Sequence, residues 1–509
     1  MTSIVISTNY FKILDPDKYL KYILYKFNSN FIKFNPMAIN KRTGSKADAI
    51  TLFATRRKDE SEYRYHRNAY NDFESFVRGF NYRFESIDII QEKLHKPEYV
   101  DMPMRKEFTP RDYQEPIIDY LTDDNPTGQN KFVGLQTGRG KSAISMFAMS
   151  KLGVRTIMLM RPVYIQKWVD ELVEKMDILP EQIMTVQGNK ELLALHSMAK
   201  ERILEDNKII IISNRTYQMW LKDYEEYGKR CSDLGYLFPP DELFKRTKAG
   251  LRIIDEVHQD FHLNFLTDLY TNVHRCISMS ATLDTTDRVM RKMYALAYPI
   301  ANRAPNTLYN KYIDTFAVHY WISNGRRYRT TEWNQSSYSH IVFENSIMKD
   351  KEFLENYLKM IKKITDEGYV NRRKPGQKCV IYASSIAMCD RITAYLKDQY
   401  RDLDVRRFCE DDPYENMTDP DIRISNIIKG GTGHDVKDLI TTILTIAIAS
   451  LQANLQVHGR LRKIEGVDTE FYYLVCHNIP KHLHYHNEKQ DLLTPKSRKF
   501  GEIFIDKPL

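Results

Sequence analysis

No run in the 509 residues approaches the ~20 consecutive apolar positions that a membrane-spanning helix needs. The most apolar long stretch, residues 439–451, is short and is interrupted by Thr441, Thr442, Thr445 and Ser450. The opening residues, MTSIVISTNYFK, lack a charged segment followed by an apolar one, so a secretory signal is not expected. Cysteine is scarce. Cys231, Cys276, Cys379, Cys389, Cys409 and Cys476 form no C-x-x-C pair and are too sparse for a disulfide framework, which fits a reducing, cytoplasmic compartment. There is no internal repeat, no low-complexity block and no nuclease constellation. A strong excess of one charge is missing too. Lys+Arg 75 against Asp+Glu 67 leaves +8, which permits a polyanionic partner without demanding one. His482, His484 and His486 have no acidic or cysteine partner set beside them, so they read as a solvated polar stretch rather than a metal tract.

The composition that remains, 42% apolar and 28% charged, is that of an ordinary globular chain rather than a disordered one. At about 150 residues per domain, its length allows roughly three domains. Residues 1–107 are polar and rich in aromatics, with a period-two run at 49–55, a helical pattern at Tyr70–Gly79 and a strand-like run at 81–89. They read as a small α+β unit. A linker-like stretch with Pro103 and Pro110 follows. From residue 109, short apolar strands alternate with helical patterns. The strands are expected at 132–135, 156–160, 209–212, 252–254 and 276–280, with a helix at 164–176. The alternation restarts with strands at 378–383, 405–408 and 471–475 and a helix at 386–396, after an irregular join at 302–346. This argues for two α/β lobes with parallel sheets, at 108–310 and 311–478, and a tail from 479 to 509.

The most informative local motif is Gln136-Thr137-Gly138-Arg139-Gly140-Lys141-Ser142, placed between a predicted strand and a predicted helix at 143–151. Glycines let the backbone wrap a phosphate, and the helix N-terminus faces it with amide groups. Lys141 would reach the β- and γ-phosphates, and the Ser142 hydroxyl would hold Mg²⁺. Leu135 stands where the full phosphate-loop pattern has its first glycine. Further on, Ile253-Ile254-Asp255-Glu256-Val257-His258 delivers two carboxylates to the end of a buried strand. Asp255 would coordinate Mg²⁺, and Glu256 would orient and deprotonate the attacking water.

With both motifs in this order, the chain resembles the superfamily 2 helicases and translocases, with a D-E-x-H form of the second ATPase motif. The resemblance covers roughly residues 108–478. It implies tandem RecA-like lobes, ATP and Mg²⁺ as cofactors, and ATP-dependent motor activity. Arg111-Asp112-Tyr113-Gln114 resembles the segment whose glutamine reads adenine, which implies that role for Gln114 beside the loop residues Thr137, Gly138, Arg139 and Gly140. Ser280-Ala281-Thr282 is similar to the S-A-T motif that couples hydrolysis to movement, together with His258. In the second lobe, residues 379–396 resemble motif IV, and Gly430–Asp435 (GGTGHD) resembles motif V, implying a nucleotide contact from Asp435. Residues 456–463 (QVHGRLRK) resemble motif VI. That match implies catalytic roles for Gln456 and for Arg460 as arginine finger. The second finger falls to Arg462 or Lys463, because the family's last arginine is a lysine here. The family's backbone-phosphate contacts map onto Arg161, Pro162, Asn214, Arg215, Ser384, Ser385 and Thr432, with helix capping as a compatible role for the two serines.

The layout is most like the compact phage recombination-repair and branch-migration helicases, and a poxviral transcript-release helicase shares it. The resemblance therefore implies a monomeric motor on branched or single-stranded DNA, and on RNA where R-loops are the substrate, without sequence specificity. A duplex translocase without strand separation is the second reading. A binding scaffold with a decayed ATPase, suggested by Leu135 and Lys463, is the third. In residues 1–107, Arg56, Arg57, Lys58, Arg64, Arg67, Arg78 and Arg83 are interleaved with Tyr63, Tyr65, Tyr70, Phe73, Phe76, Phe80, Tyr82 and Phe84. That pattern suits nucleic-acid contact by charge and stacking, although the helical spacing of the aromatics from Tyr70 also fits a core.

Overall fold

A computed structural model describes residues 2–34, 50–123, 130–136, 138–281, 283, 285, 287–305, 310–324, 327–331, 338–410, 412–413, 415–427 and 436–509. The chain divides into two compact units. One holds Met1–Leu135 and Arg139–Thr307, and the other holds Gln136–Gly138 and Leu308–Leu509. Among the described residues, no helix is long and apolar enough to cross a membrane.

Among the described residues, the first unit contains two large sheets and a two-stranded antiparallel ribbon of Ile32–Phe34 with Ile50–Leu52. The larger has six strands, all paired in parallel, in the order Ile183–Val186, Ile209–Ser213, Thr156–Met160, Leu251–Ile254, Arg275–Ser280 and Asn130–Gly134. Its central strands Thr156–Met160 and Ile209–Ser213 are almost continuously apolar because both faces are covered. Strand alternation then sorts the side chains. Ile157, Leu159, Ile210, Ile212 and Ile254 enter one core, while Met158, Met160, Ile209, Ile211 and Ile253 enter the other with Trp168 and Leu172. Each such burial stabilises the lobe by about 1.5–3 kcal/mol.

The first of these cores is shared with the N-terminal residues. Their five-stranded mixed sheet runs Thr55–Arg56, Glu62–His66, Tyr10–Leu14, Ser3–Ile6, Asp88–Gln91, with only the last pair parallel. Phe53 packs on Phe261 and Phe265. Arg64 is fully buried, donating to Asp241 at 2.9 Å and to the Leu269 carbonyl at 3.2 Å, and it also pairs with Glu62. The N-terminal sheet is thus part of the first compact unit. The strand-like run at 81–89 is mostly a turn: only Asp88–Gln91 is strand, after a short 3₁₀ turn at Phe84–Ser86.

The second unit carries a seven-stranded parallel sheet in the order Val405–Phe408, Ile422–Asn426, Lys378–Ala383, Leu439–Leu444, Thr469–Cys476, Ile313–Tyr320 and Lys499–Phe504. The architecture is therefore α/β, with two parallel-sheet lobes of the RecA-like kind and an N-terminal α+β accessory domain. Three sequence expectations fail here. The join at 302–346 contains an eight-residue strand, Ile313–Tyr320, and a helix, His340–Ile347. The residues after Asn478 are no tail: Pro480–Leu493 is a helix, and Lys499–Phe504 pairs in parallel with Ile313–Tyr320. His482 and His486 lie on that helix, 2% and 6% exposed, so they are buried rather than solvated.

Candidate functional site

In a parallel sheet all strand C-termini share one edge, and loops there collect the chemistry. In the first unit that edge carries Arg161 after Thr156–Met160, Asn214 and Arg215 after Ile209–Ser213, Asp255 and Glu256 after Leu251–Ile254, and Ala281 after Arg275–Ser280. The strand Asn130–Gly134 leads into the glycine loop, and the helix Lys141–Leu152 leads out of it.

Gly140 caps that helix with φ 73°, in the left-handed region that a side chain disfavours. A Cβ at this position would also lie 2.6 Å from the Gln114 Nε2 atom. Gln114 is buried, and its amide donates to the Arg139 carbonyl at 3.3 Å, as does the Tyr113 hydroxyl at 3.1 Å. The Arg139 guanidinium lies over the Tyr113 ring. Gln114, Arg139 and Gly140 are thereby brought together by direct contact.

Lys141 is buried, and its ammonium lies 3.4 Å from both Glu256 Oε1 and the Leu135 carbonyl. Leu135, which replaces the expected glycine, is itself buried, and its N–H donates to the Ser280 carbonyl at 3.1 Å. Asp255 accepts from the Trp168 indole at 3.0 Å and from the Glu256 N–H at 2.8 Å. Burial and the adjacent Glu256 charge raise its pKa. Burial would also raise Glu256, but the Lys141 ammonium outweighs it and holds that carboxyl below its ordinary range. Glu256 has φ 47°, a conformation costing about 1–3 kcal/mol that recurs where a side chain must be aimed. Ser142 is the second residue of the same helix. Its hydroxyl and the Asp255 carboxylate are hard oxygen donors of the kind Mg²⁺ takes. The chemistry of this donor set fits that ion.

His258 Nδ1 lies 2.6 Å from the Ser280 hydroxyl and 3.3 Å from Glu256 Oε2. Burial lowers its pKa. Val257 N–H donates to the Met279 carbonyl at 2.9 Å, so the two motifs are joined by backbone as well.

The expected phosphate-contacting residues sort less simply. Pro162 starts the helix Pro162–Lys175, where its missing N–H costs nothing. Arg161 donates twice to Asp260, at 2.6 and 2.7 Å, and Asn214 donates to the same carboxylate at 3.2 Å. Arg215 is exposed. Asp260 was not singled out from the sequence. Its signal was only position, four residues after Glu256.

In the second unit, Gln456 lies in the helix Leu451–His458 and is part-exposed, Arg460 follows that helix and is buried, Arg462 is part-buried and Lys463 is exposed. The only buried cation of the motif is therefore Arg460. Ser385 caps the helix Ile386–Gln399 by accepting from the Met388 N–H. The N–H groups of Ser384 and Ser385 both donate to Glu344, each at 2.7 Å. Glu344 is fully buried, and burial raises its carboxyl to about 7. It lies in the segment expected to be irregular, which hid it from the sequence reading. Thr137, Thr282, Thr432 and Asp435 lie outside the described residues.

The N-terminal basic-aromatic pattern is split: Arg64 is internal, whereas Arg56, Lys58, Arg78 and Arg83 are exposed. Tyr63, Tyr65, Phe73 and Phe84 are buried. Arg78 pairs with Glu74 and Glu85, Arg56 with Glu60 and Arg57 with Asp59. A different face is aromatic and open. The helix Lys18–Asn28 exposes Tyr19, Tyr22 and Tyr25 beside Lys26, with the Tyr19 and Tyr22 rings stacked at 6.5 Å.

No family model and no curated protein matches the chain. Solved structures do. T4 UvsW is similar over 99% of both chains, at 12% identity and a TM-score of 0.33. Mss116p, bound to ssRNA and AMP-PNP, is similar over 78% of this chain and 74% of its own, at 14% identity and 0.47. Dbp5 of S. cerevisiae, bound to RNA and ADP BeF3, is similar over 78% of this chain and 90% of its own, at 11% identity and 0.47. At these values no residue role passes from those proteins to this chain.

Proposed function

We propose that the protein is an ATP-driven nucleic-acid motor. The observation that carries the reading is the ion pair between Lys141 and Glu256 at the strand edge, with His258 bridging Glu256 to Ser280. A carboxylate held ionised beside a lysine, at the start of a glycine-capped helix, suits phosphoryl transfer. Bound Mg²⁺·ATP would supply the cleavable γ-phosphate and a cation to spread its charge. Lys141 would leave Glu256 for the phosphates, Ser142 and Asp255 would hold the ion, and Gln114 would face the base. Glu256, released from Lys141, would accept the proton of the attacking water. Arg460 would act as the arginine finger.

In its finer form the reading is a DNA helicase or translocase on forks, Holliday junctions and R-loops, in phage-type replication, recombination and repair. The burial of Tyr63, Tyr65, Phe73 and Phe84 favours a second form, a duplex translocase that remodels or releases transcripts without separating strands, because it withdraws these four rings from stacking on unpaired bases.

The test is phosphate release with Holliday junction, fork, R-loop and blunt duplex DNA, beside strand-displacement and triplex-displacement assays. Stimulated turnover that disappears in Lys141→Ala supports the motor. Turnover indifferent to nucleic acid, or retained in that variant, overturns it. Triplex displacement without strand displacement selects the second form.

A further inference from the structure

Of the three histidines that look solvated in the sequence, His486 becomes part of a cluster once the chain folds. The strand Ile313–Tyr320 supplies His319, the helix Pro480–Leu493 supplies His486, and the edge strand Lys499–Phe504 supplies Glu502, all within the second unit. One ligand atom from each lies within 4.8 Å of the others. His486 Nε2 is 3.5 Å from Glu502 Oε1, and His319 Nε2 is 4.0 Å from Glu502 Oε2. Donors at about 2.0–2.2 Å from a tetrahedral zinc ion stand roughly 3.3–3.5 Å apart. The cluster is therefore near the closed geometry, needing only a small contraction toward His319.

Two further features point to a ligand. First, His319 Nε2 is buried and has no hydrogen-bond partner, although the ring is aimed at Glu502. Buried polar atoms are rarely left in this state. Second, the other ring nitrogen of each histidine is already held. His486 Nδ1 lies 2.9 Å from the Tyr473 hydroxyl, and His319 Nδ1 lies 3.0 Å from His477 Nε2. The His477 ring stacks on Trp321, and Phe504 stacks on His319 at 4.6 Å. Outer partners of this kind fix ring orientation and leave the Nε2 lone pairs for a metal. In that tautomer, His486 Nδ1–H donates to the tyrosine oxygen and His319 Nδ1–H donates to His477. Glu502 also accepts from Gln490 at 3.3 Å, and its side chain is 34% exposed, so a fourth coordination position faces water.

We propose that His319, His486 and Glu502 bind a divalent transition ion of the zinc type. Two imidazoles and a carboxylate with one open position form a recognised zinc donor set. The ion ties together three elements that are distant in sequence. Lys499–Phe504 is an edge strand with a single strand neighbour, so the ion adds a second tie between that strand and the rest of the lobe. The site is independent of the nucleotide chemistry.

The full chain, stripped with a chelator, is titrated with Zn²⁺. Bound zinc per chain is counted after desalting, and Tm is read with and without the ion. The expected result is one zinc per chain and a Tm that rises on zinc addition. Glu502→Gln, at a part-exposed position, is expected to lose at least tenfold in affinity together with the Tm response, and His486→Gln is expected to do the same. Co²⁺ substituted into the wild type is expected to give the visible absorption of a four-coordinate centre, absent in Glu502→Gln. A wild type that retains no zinc, or equal zinc in the wild type and Glu502→Gln, overturns the proposal.

Discussion

His258 Nδ1 and the Ser280 hydroxyl stand 2.6 Å apart, joining the loop that carries Glu256 to the end of the neighbouring strand. Burial keeps His258 neutral at physiological pH, so this link is a neutral hydrogen bond that can re-form when Glu256 changes partner. His258→Ala and Ser280→Ala are expected to leave nucleotide affinity within a few-fold of wild type. Both should lose about tenfold or more of the nucleic-acid stimulation of ATP hydrolysis, read as the ratio of turnover with and without DNA.

Glu256 is held ionised by Lys141. Glu256→Gln removes the proton acceptor while conserving shape, so kcat should fall about 10²- to 10⁴-fold while ATP and DNA binding survive. Loss of ATP binding in an equilibrium fluorescence titration would remove Glu256 from the role of base.

Arg161 and Asn214 both engage Asp260. If these residues contact backbone phosphates, the anion competes with Asp260 for them. Asp260→Ala should then tighten nucleic-acid binding, and Arg161→Ala should weaken it evenly across sequences while reducing the salt slope by about 1. Plots of log affinity against log salt for both variants decide the matter.

The helix Lys18–Asn28 presents Tyr19, Tyr22 and Tyr25 to solvent. Tyr22→Ala and Tyr25→Ala should each cost about 1–3 kcal/mol in single-strand affinity if bases stack there. Neither should alter ATP hydrolysis without DNA. Unchanged affinity in both would leave the N-terminal domain a structural support of the first lobe.

Lys489 is 2% exposed, with its nitrogen 4.4 Å above the Tyr473 ring, and burial lowers its pKa to about 7. Its folded value lies below the unfolded one, so the unfolded chain binds the extra proton between them and stability rises with pH from about 7 to 10.5. The contribution is lost as pH falls through that window, up to a ceiling of about 5 kcal/mol. Lys489→Met should therefore be more stable than wild type at pH ~7, with the advantage shrinking toward pH ~10. Tm measured across that range checks it, and a constant difference would contradict the lowered pKa.

Legibility followed the range of the interactions involved. The strands Thr156–Met160, Lys378–Ala383 and Val405–Phe408 and the helix Tyr70–Gly79 were readable because propensity and periodicity are local. The strand Ile313–Tyr320 was not, although it is eight residues long. Its alternation is broken by Asp314, Thr315 and His319, and each of these finds a partner from the C-terminal segment: Arg498, Ser497 and the cluster with His486. Glu344 was missed for the same reason, since its value lies in two amides that arrive from forty residues away.

By itself the sequence determined the two parallel-sheet lobes and the order of Lys141, Asp255, Glu256 and His258 along the chain, since strand alternation and a glycine loop are written in consecutive residues. Only the tertiary structure decided which charged groups face one another. It buried Arg64 with Tyr63, Tyr65, Phe73 and Phe84, tied Arg161 to Asp260, and packed the helix Pro480–Leu493 and the strand Lys499–Phe504 onto the second lobe so that His319, His486 and Glu502 meet. Burial and long-range pairing set those outcomes, and neither is a property of neighbouring residues in the chain.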